Sequence, residues 1–148
     1  MKNYFRGIIS VVLCFSLSMP VLNASGADYT GAKVTQLKKS TRAANGQQLE
    51  YSRTDKPEVT ALIVEIPPGE NTGWHYHPVP VYAFMLSGSL TVETADGKRY
   101  DFQEGDVIFE MTNTPHNGRN GGEKPAKLVV FYTGAEGTPN TVPVKGKP

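Results

Sequence analysis

From Val34 onward the chain is interrupted every few residues by glycine, proline or an Asx-Gly pair, and no stretch of ten or more residues carries a clean helical period. The runs between the breaks are short and rich in valine, isoleucine, leucine and aromatic residues. They predict strands over residues 34–37, 48–52, 59–66, 74–77, 81–86, 89–94, 99–102, 106–110, 116–120 and 126–132. Asn45-Gly46 and Asp96-Gly97 are hairpin dipeptides that tolerate positive φ, whereas the prolines at 67–68 and 78–80 bar ladder bonds and force loops or edges. Each strand is thereby expected to return on its predecessor. Many short antiparallel strands in one chain of 148 residues must each bury a face, and the economical closures are a double-sheet jelly roll or a small barrel. The fold class expected is all-β in a single domain, with residues 134–148, interrupted by Pro139, Pro143 and Pro148, running as an extended tail.

The first 27 residues have a different character. Lys2 and Arg6 precede an apolar run over 7–19 that is short for a bilayer span, and Ala24, Ser25, Gly26 and Ala27 follow. This is the build of a secretory signal peptide cleaved after Ala27 or Ala24, which leaves residues 28–148 as the mature domain. A lipoprotein signal would need a small residue before Cys14, where Val12 and Leu13 stand. Cleavage removes Cys14, the only cysteine, so no disulfide is expected, and loss of Lys2 and Arg6 takes the formal charge from +1 to −1. A near-neutral surface argues against nucleic acid and, once the signal is removed, against a membrane as partner. The expected location is the periplasm or the medium.

The chain has three histidines. His75 and His77 are two apart, so on a strand both rings leave the same face, as two positions of one coordination shell require. His116 lies far along the chain, at the start of another predicted strand, and a barrel can return it to the first pair. A lone His-x-His on a strand is usually a surface or half-buried pair with no ion, so the spacing alone is weak evidence.

The surrounding residues resemble both motifs of the cupin family. The first motif runs Gly, five residues, His-x-His, three or four residues, Glu, six residues, Gly; here Gly69 leads into His75-Tyr76-His77 and Gly88 closes it. In the second, Gly105 opens, His116 falls in the ligand place and Asn120 follows at the family's distance. The resemblance covers about residues 59–132, and all the histidines of the chain sit at the family's histidine positions. It implies a cupin-type double-stranded β-helix, a jelly-roll barrel, with one divalent metal held by His75, His77 and His116.

Two departures stand out: Val81 occupies the place of the family's glutamate, and Met111-Thr112-Asn113 replaces Pro-x-Gly. Without that carboxylate the set is similar to the three-histidine sites of cupin thiol and diketone dioxygenases, which implies Fe(II), with Zn, Mn, Ni or Cu as the other candidate ions. Glu93, Glu104 and Glu110 are the remaining carboxylates a fold can bring near, and nothing in the spacing selects one. Tyr82 is either an outer-shell or fourth ligand or simple barrel packing, because alternation puts Tyr82, Phe84 and Leu86 on one face and Val81, Ala83 and Met85 on the other. Trp74, Val81, Phe84 and Met85 are expected to wall an apolar pocket, with Asn120 near its rim. No Ser-His-Asp set or phosphate-cradling loop is present. The reading is an exported metal-binding cupin, either a small-molecule enzyme of dioxygenase type or a non-catalytic binder of a small ligand or metal. A homodimer is expected, with residues 28–34 and 138–148 available to swap.

Overall fold

The structure is a computed structural model that describes residues 30–146 and 148, so residues 1–27, expected from sequence to be a signal peptide, lie outside the described residues. Thr35–Pro148 forms a compact unit; before it, residues 30 and 31 form a turn and residues 30–34 are all exposed. Strands β1 (Pro57–Ile66), β2 (His75–Tyr76), β3 (Val81–Ser87), β4 (Ser89–Thr94), β5 (Arg99–Gln103), β6 (Val107–Phe109), β7 (His116–Arg119), β8 (Ala126–Ala135) and β9 (Val142–Pro143) follow in order, with no helix among the described residues.

They form two sheets, β1-β8-β3-β6 and β5-β4-β7-β2-β9. All strand pairings are antiparallel. Consecutive strands fall in opposite sheets except β4 and β5, which form the hairpin at Asp96-Gly97. The expectation that each strand returns on its predecessor is thus corrected: the loops cross from one sheet to the other. At the β3–β4 crossing Gly88 has φ +76, and a Cβ there would lie 2.5 Å from the Pro125 carbonyl oxygen. Only glycine fits that corner.

Alternation sets the two faces of the first sheet. Val81, Ala83 and Met85 of β3, Ile108 of β6 and Leu128, Val130 and Tyr132 of β8 point inward and are buried. Burying one such side chain contributes about 1.5–3 kcal/mol. The opposite face is also apolar. Ala61, Phe131, Tyr82 and Phe109 form one cross-strand row over all four strands, and Ile63, Val129, Phe84 and Val107 form the next.

The strands expected over 34–37 and 48–52 do not form. Val34 and Leu37 are exposed, so they have no core face to define a strand, and the second segment contributes only an isolated Arg42–Gln48 bridge around the Asn45-Gly46 turn. The tail was expected to run as extended chain; instead part of it pairs, β9 laying Val142 and Pro143 against Tyr76 and His75.

Candidate metal centre

Three histidines reach one point in the barrel because the second sheet places them side by side. His116 is the direct cross-strand partner of His75, and His77 lies two residues along the same chain, where it bridges to Thr112. Their ring centroids are 4.5 Å (75–116), 4.8 Å (75–77) and 5.0 Å (77–116) apart. One nitrogen from each lies within 4.8 Å of the others. His77 and His116 are buried, His75 partly so.

Each ring's outer nitrogen meets a main-chain oxygen. Nδ1 of His75 is 2.8 Å from the Gly73 carbonyl, Nδ1 of His77 is 2.8 Å from the Asn140 carbonyl, and Nδ1 of His116 is 2.8 Å from the Thr114 carbonyl. A carbonyl only accepts, so every Nδ1 carries a hydrogen, and in the neutral rings every Nε2 is left with a lone pair. The His116 Nε2 is sealed from solvent and has no partner in hydrogen-bonding geometry. An orphaned buried nitrogen, beside two more whose tautomer is fixed, is a donor set for a cation. These residues fit a divalent metal.

A carboxylate joins them. Glu110 follows β6, its Oε2 lies 3.3 Å from His77 Nε2 and 3.2 Å from His116 Nε2, and its side chain is only 15% exposed. Burial disfavours its charge, but His116 and His77 outweigh that and hold the carboxyl below the usual range. Burial likewise lowers His116, yet Glu110 beside it wins and raises the imidazole above its ordinary value. His75, farther from the carboxylate's influence, is taken down to about 4, chiefly by burial.

The three histidines and Glu110 open on a cavity of about 60 Å³, otherwise walled by Thr72, Gly118, Tyr132 and the aliphatic side chains of β1, β4 and β8. Its enclosed part holds only a few heavy atoms, and because the cavity opens to solvent a larger guest would reach beyond it.

The other residues singled out in the sequence lie elsewhere. Val81 and Met85 are inside the barrel but in its packed core. Tyr82 and Phe84 point to the outer face, where Tyr82 meets Phe109 edge-on with centroids 5.6 Å apart. Asn120 is fully buried and structural: its amide donates to the Ile66 and Lys124 carbonyls and its oxygen accepts from the Gly122 N–H. The Trp74 carbonyl accepts from Val144 N–H, fastening the tail, and its side chain does not line the cavity. Sequence reasoning did not single out Glu110, Thr72, Tyr132 or the tail's Asn140. Glu110 was within reach: it is in phase with the inward Ile108, whereas Glu93 is out of phase with the buried Leu90 and Val92.

A family model described as a cupin domain matches residues 62–132. The chain carries a cupin domain. Among relatives of this cupin, the tetracenomycin polyketide synthase protein TcmJ of Streptomyces glaucescens is 31% identical over 67 residues, which are 45% of this chain and 44% of that protein. The match thus spans less than half of that relative's length. Among solved structures, DMSP lyase DddQ from Ruegeria pomeroyi aligns with a TM-score of 0.52 at 24% identity, over 60% of this chain and 45% of that one. Oxalate decarboxylase from Lactobacillus farciminis aligns with a TM-score of 0.51 at 23% identity, over 58% of this chain and 26% of that one. At such identities the likeness is one of fold.

Proposed function

We propose that this cupin is an exported, metal-dependent enzyme of dioxygenase type that acts on a small molecule in the barrel cavity. The observation that carries the reading is the convergence of three imidazoles whose Nδ1 protons are all engaged by carbonyls, leaving three Nε2 lone pairs at one buried point. A divalent ion held there supplies a Lewis acid and open positions for a chelating substrate or dioxygen. The chain's own part is to position. His75, His77 and His116 hold the ion, the aliphatic walls keep the chamber partly dry, and the size of its enclosed part suits small substrates. Fe(II) is the ion proposed for oxygen chemistry, with Zn, Mn, Ni or Cu as alternatives. We further propose export through residues 1–27 and assembly as a homodimer.

A second reading, a non-catalytic binder of a small ligand or of zinc or copper, draws on the cavity walls, which hold the ligand histidines and Glu110 but no other imidazole or carboxylate. One experiment addresses both. The protein is recovered from fractionated cells of its native host, its metal content is measured, and oxygen uptake is followed with small thiols, phenols and diketones, with oxalate and DMSP as non-oxidative controls. One ion per chain in the wild type, absent from His116→Ala, and oxygen uptake with one of the first three classes is the expected result. Stoichiometric metal with no turnover would favour the binder, and equal trace metal in wild type and variant would remove the site.

A further inference from the structure

We infer that Glu110 is the carboxylate ligand of this centre, standing one strand across from the place where the cupin pattern carries its glutamate. The inference rests on reading the three histidines as a metal site, and it adds a fourth donor to that set.

The pattern puts the glutamate at residue 81, where this chain has a buried valine. In the β3–β6 ladder Tyr82 is the partner of Phe109, so the register carries Val81 to a place opposite Glu110, and Glu110 N–H donates to the Val81 carbonyl at 3.0 Å. Directly opposed residues on one face of an antiparallel pair have Cβ atoms only about 4.5–5.5 Å apart. Val81 and Glu110 both lie on the inward face, in phase with Ala83 and Ile108. A carboxylate moved from 81 to 110 therefore stays on the same wall of the barrel.

The side chain reaches the histidines from there. Oε2 is 3.2 Å from one Nε2 and 3.3 Å from another, and among the described residues no lysine or arginine pairs with it. Two lone pairs from neutral rings and one carboxylate oxygen, all acceptors, face one another in a site largely shut off from water. Such a cluster needs a positive charge at its centre, supplied by a proton on an imidazole in the metal-free chain and by a cation in the loaded one. A glutamate at 81 as well would set two carboxylates side by side with like charge, so valine opposite Glu110 is what a single transferred ligand requires. The other two carboxylates considered from sequence are placed differently: Glu93 is on the outward phase of β4, and Glu104 is in the exposed β5–β6 turn. An oxygen donor added to three imidazoles lowers the charge of the loaded centre from +2 to +1 and shifts its preference toward Fe(II) and Mn(II).

The test is titration of the metal-free chain with Zn(II) against a chromophoric chelator, for the wild type, Glu110→Gln, Glu104→Gln and the exchange variant Val81→Glu/Glu110→Val. One Zn(II) per wild-type chain, at least tenfold weaker binding in Glu110→Gln, unchanged binding in Glu104→Gln and partial recovery in the exchange variant is the expected result. Wild type with one Zn(II) and Glu110→Gln binding equally tightly would overturn the ligand role of Glu110 while leaving the histidine site standing. Wild type with no stoichiometric Zn(II) would overturn the histidine reading itself, and this inference with it. A folded exchange variant no tighter than Glu110→Gln would overturn the interchange of positions. If the exchange variant fails to fold, as a charge placed at a core position can cause, the interchange is decided by Val81→Glu in the Glu110→Gln background, with the same outcomes.

Discussion

At the scale of single residues, the centre holds its imidazoles in unlike electrostatic states. Metal takes up only deprotonated ring nitrogen, so protons compete with the ion. In the metal-free chain Glu110 keeps His116 protonated to higher pH than an ordinary histidine, whereas burial keeps His75 neutral down to about 4. Falling pH should therefore weaken Zn(II) binding, with His116 competing and His75 contributing no proton until the medium is far more acidic. Competition titrations from pH 8 downward check this, and Glu110→Gln, which removes what raises His116, should flatten the dependence; an equal slope in the variant would reject the coupling. The histidines were legible in the sequence because their spacing is a motif. For Glu110 only the inward phase was legible, shared with Ile108; its nearness to the histidines was not, because that depends on which strand lies beside β3, and Val81, the residue opposite it, stands 29 positions away.

Between residues and whole molecule, the elements are held by a few corners where the chain changes sheet. Gly88 and Gly97 both have positive φ, but a Cβ at Gly97 would meet nothing within 4 Å, while one at Gly88 would strike Pro125 and Ala126. Gly97→Ala should cost about 1 kcal/mol, the backbone penalty alone. Gly88→Ala should cost more than about 2 kcal/mol, since the β3–β4 corner must also shift. Urea unfolding of the metal-free variants measures the difference, and equal losses would show that the corner relaxes freely. Strand cores were readable where apolar residues alternate, as in β1, β3, β4 and β8. The order of strands was not, because a turn dipeptide marks a reversal without saying which sheet the chain enters next. Only Asp96-Gly97 proved to close a named hairpin.

For the molecule as a whole, the unanswered demand lies on the outer face of the β1-β8-β3-β6 sheet. Val59, Ile63, Leu86 and Phe131 there are 64%, 57%, 42% and 43% exposed, and Ile63 and Phe131 stand in the two cross-strand apolar rows. The β6 edge of the same sheet is already taken by its own chain, since Lys38 Nζ donates to the Val107 carbonyl and Ala44 N–H to that of Phe109. The proposed homodimer is therefore expected to join face to face in a twofold manner. Ile63→Glu and Phe131→Glu, at exposed positions, should keep the fold and sediment as monomers; variants that remain dimeric would rule this face out. One further consequence belongs to the barrel interior. With all three ring hydrogens turned outward to main-chain oxygens and the inner nitrogens given over to the proposed ion, the histidines would have no acid to lend to a guest molecule. Under the proposed function, a proton needed in this chamber would come from the Thr72 or Tyr132 hydroxyl on its wall, from solvent or from the guest, and not from an imidazole, which suits transformations that conserve hydrogen, such as the proposed incorporation of both atoms of dioxygen.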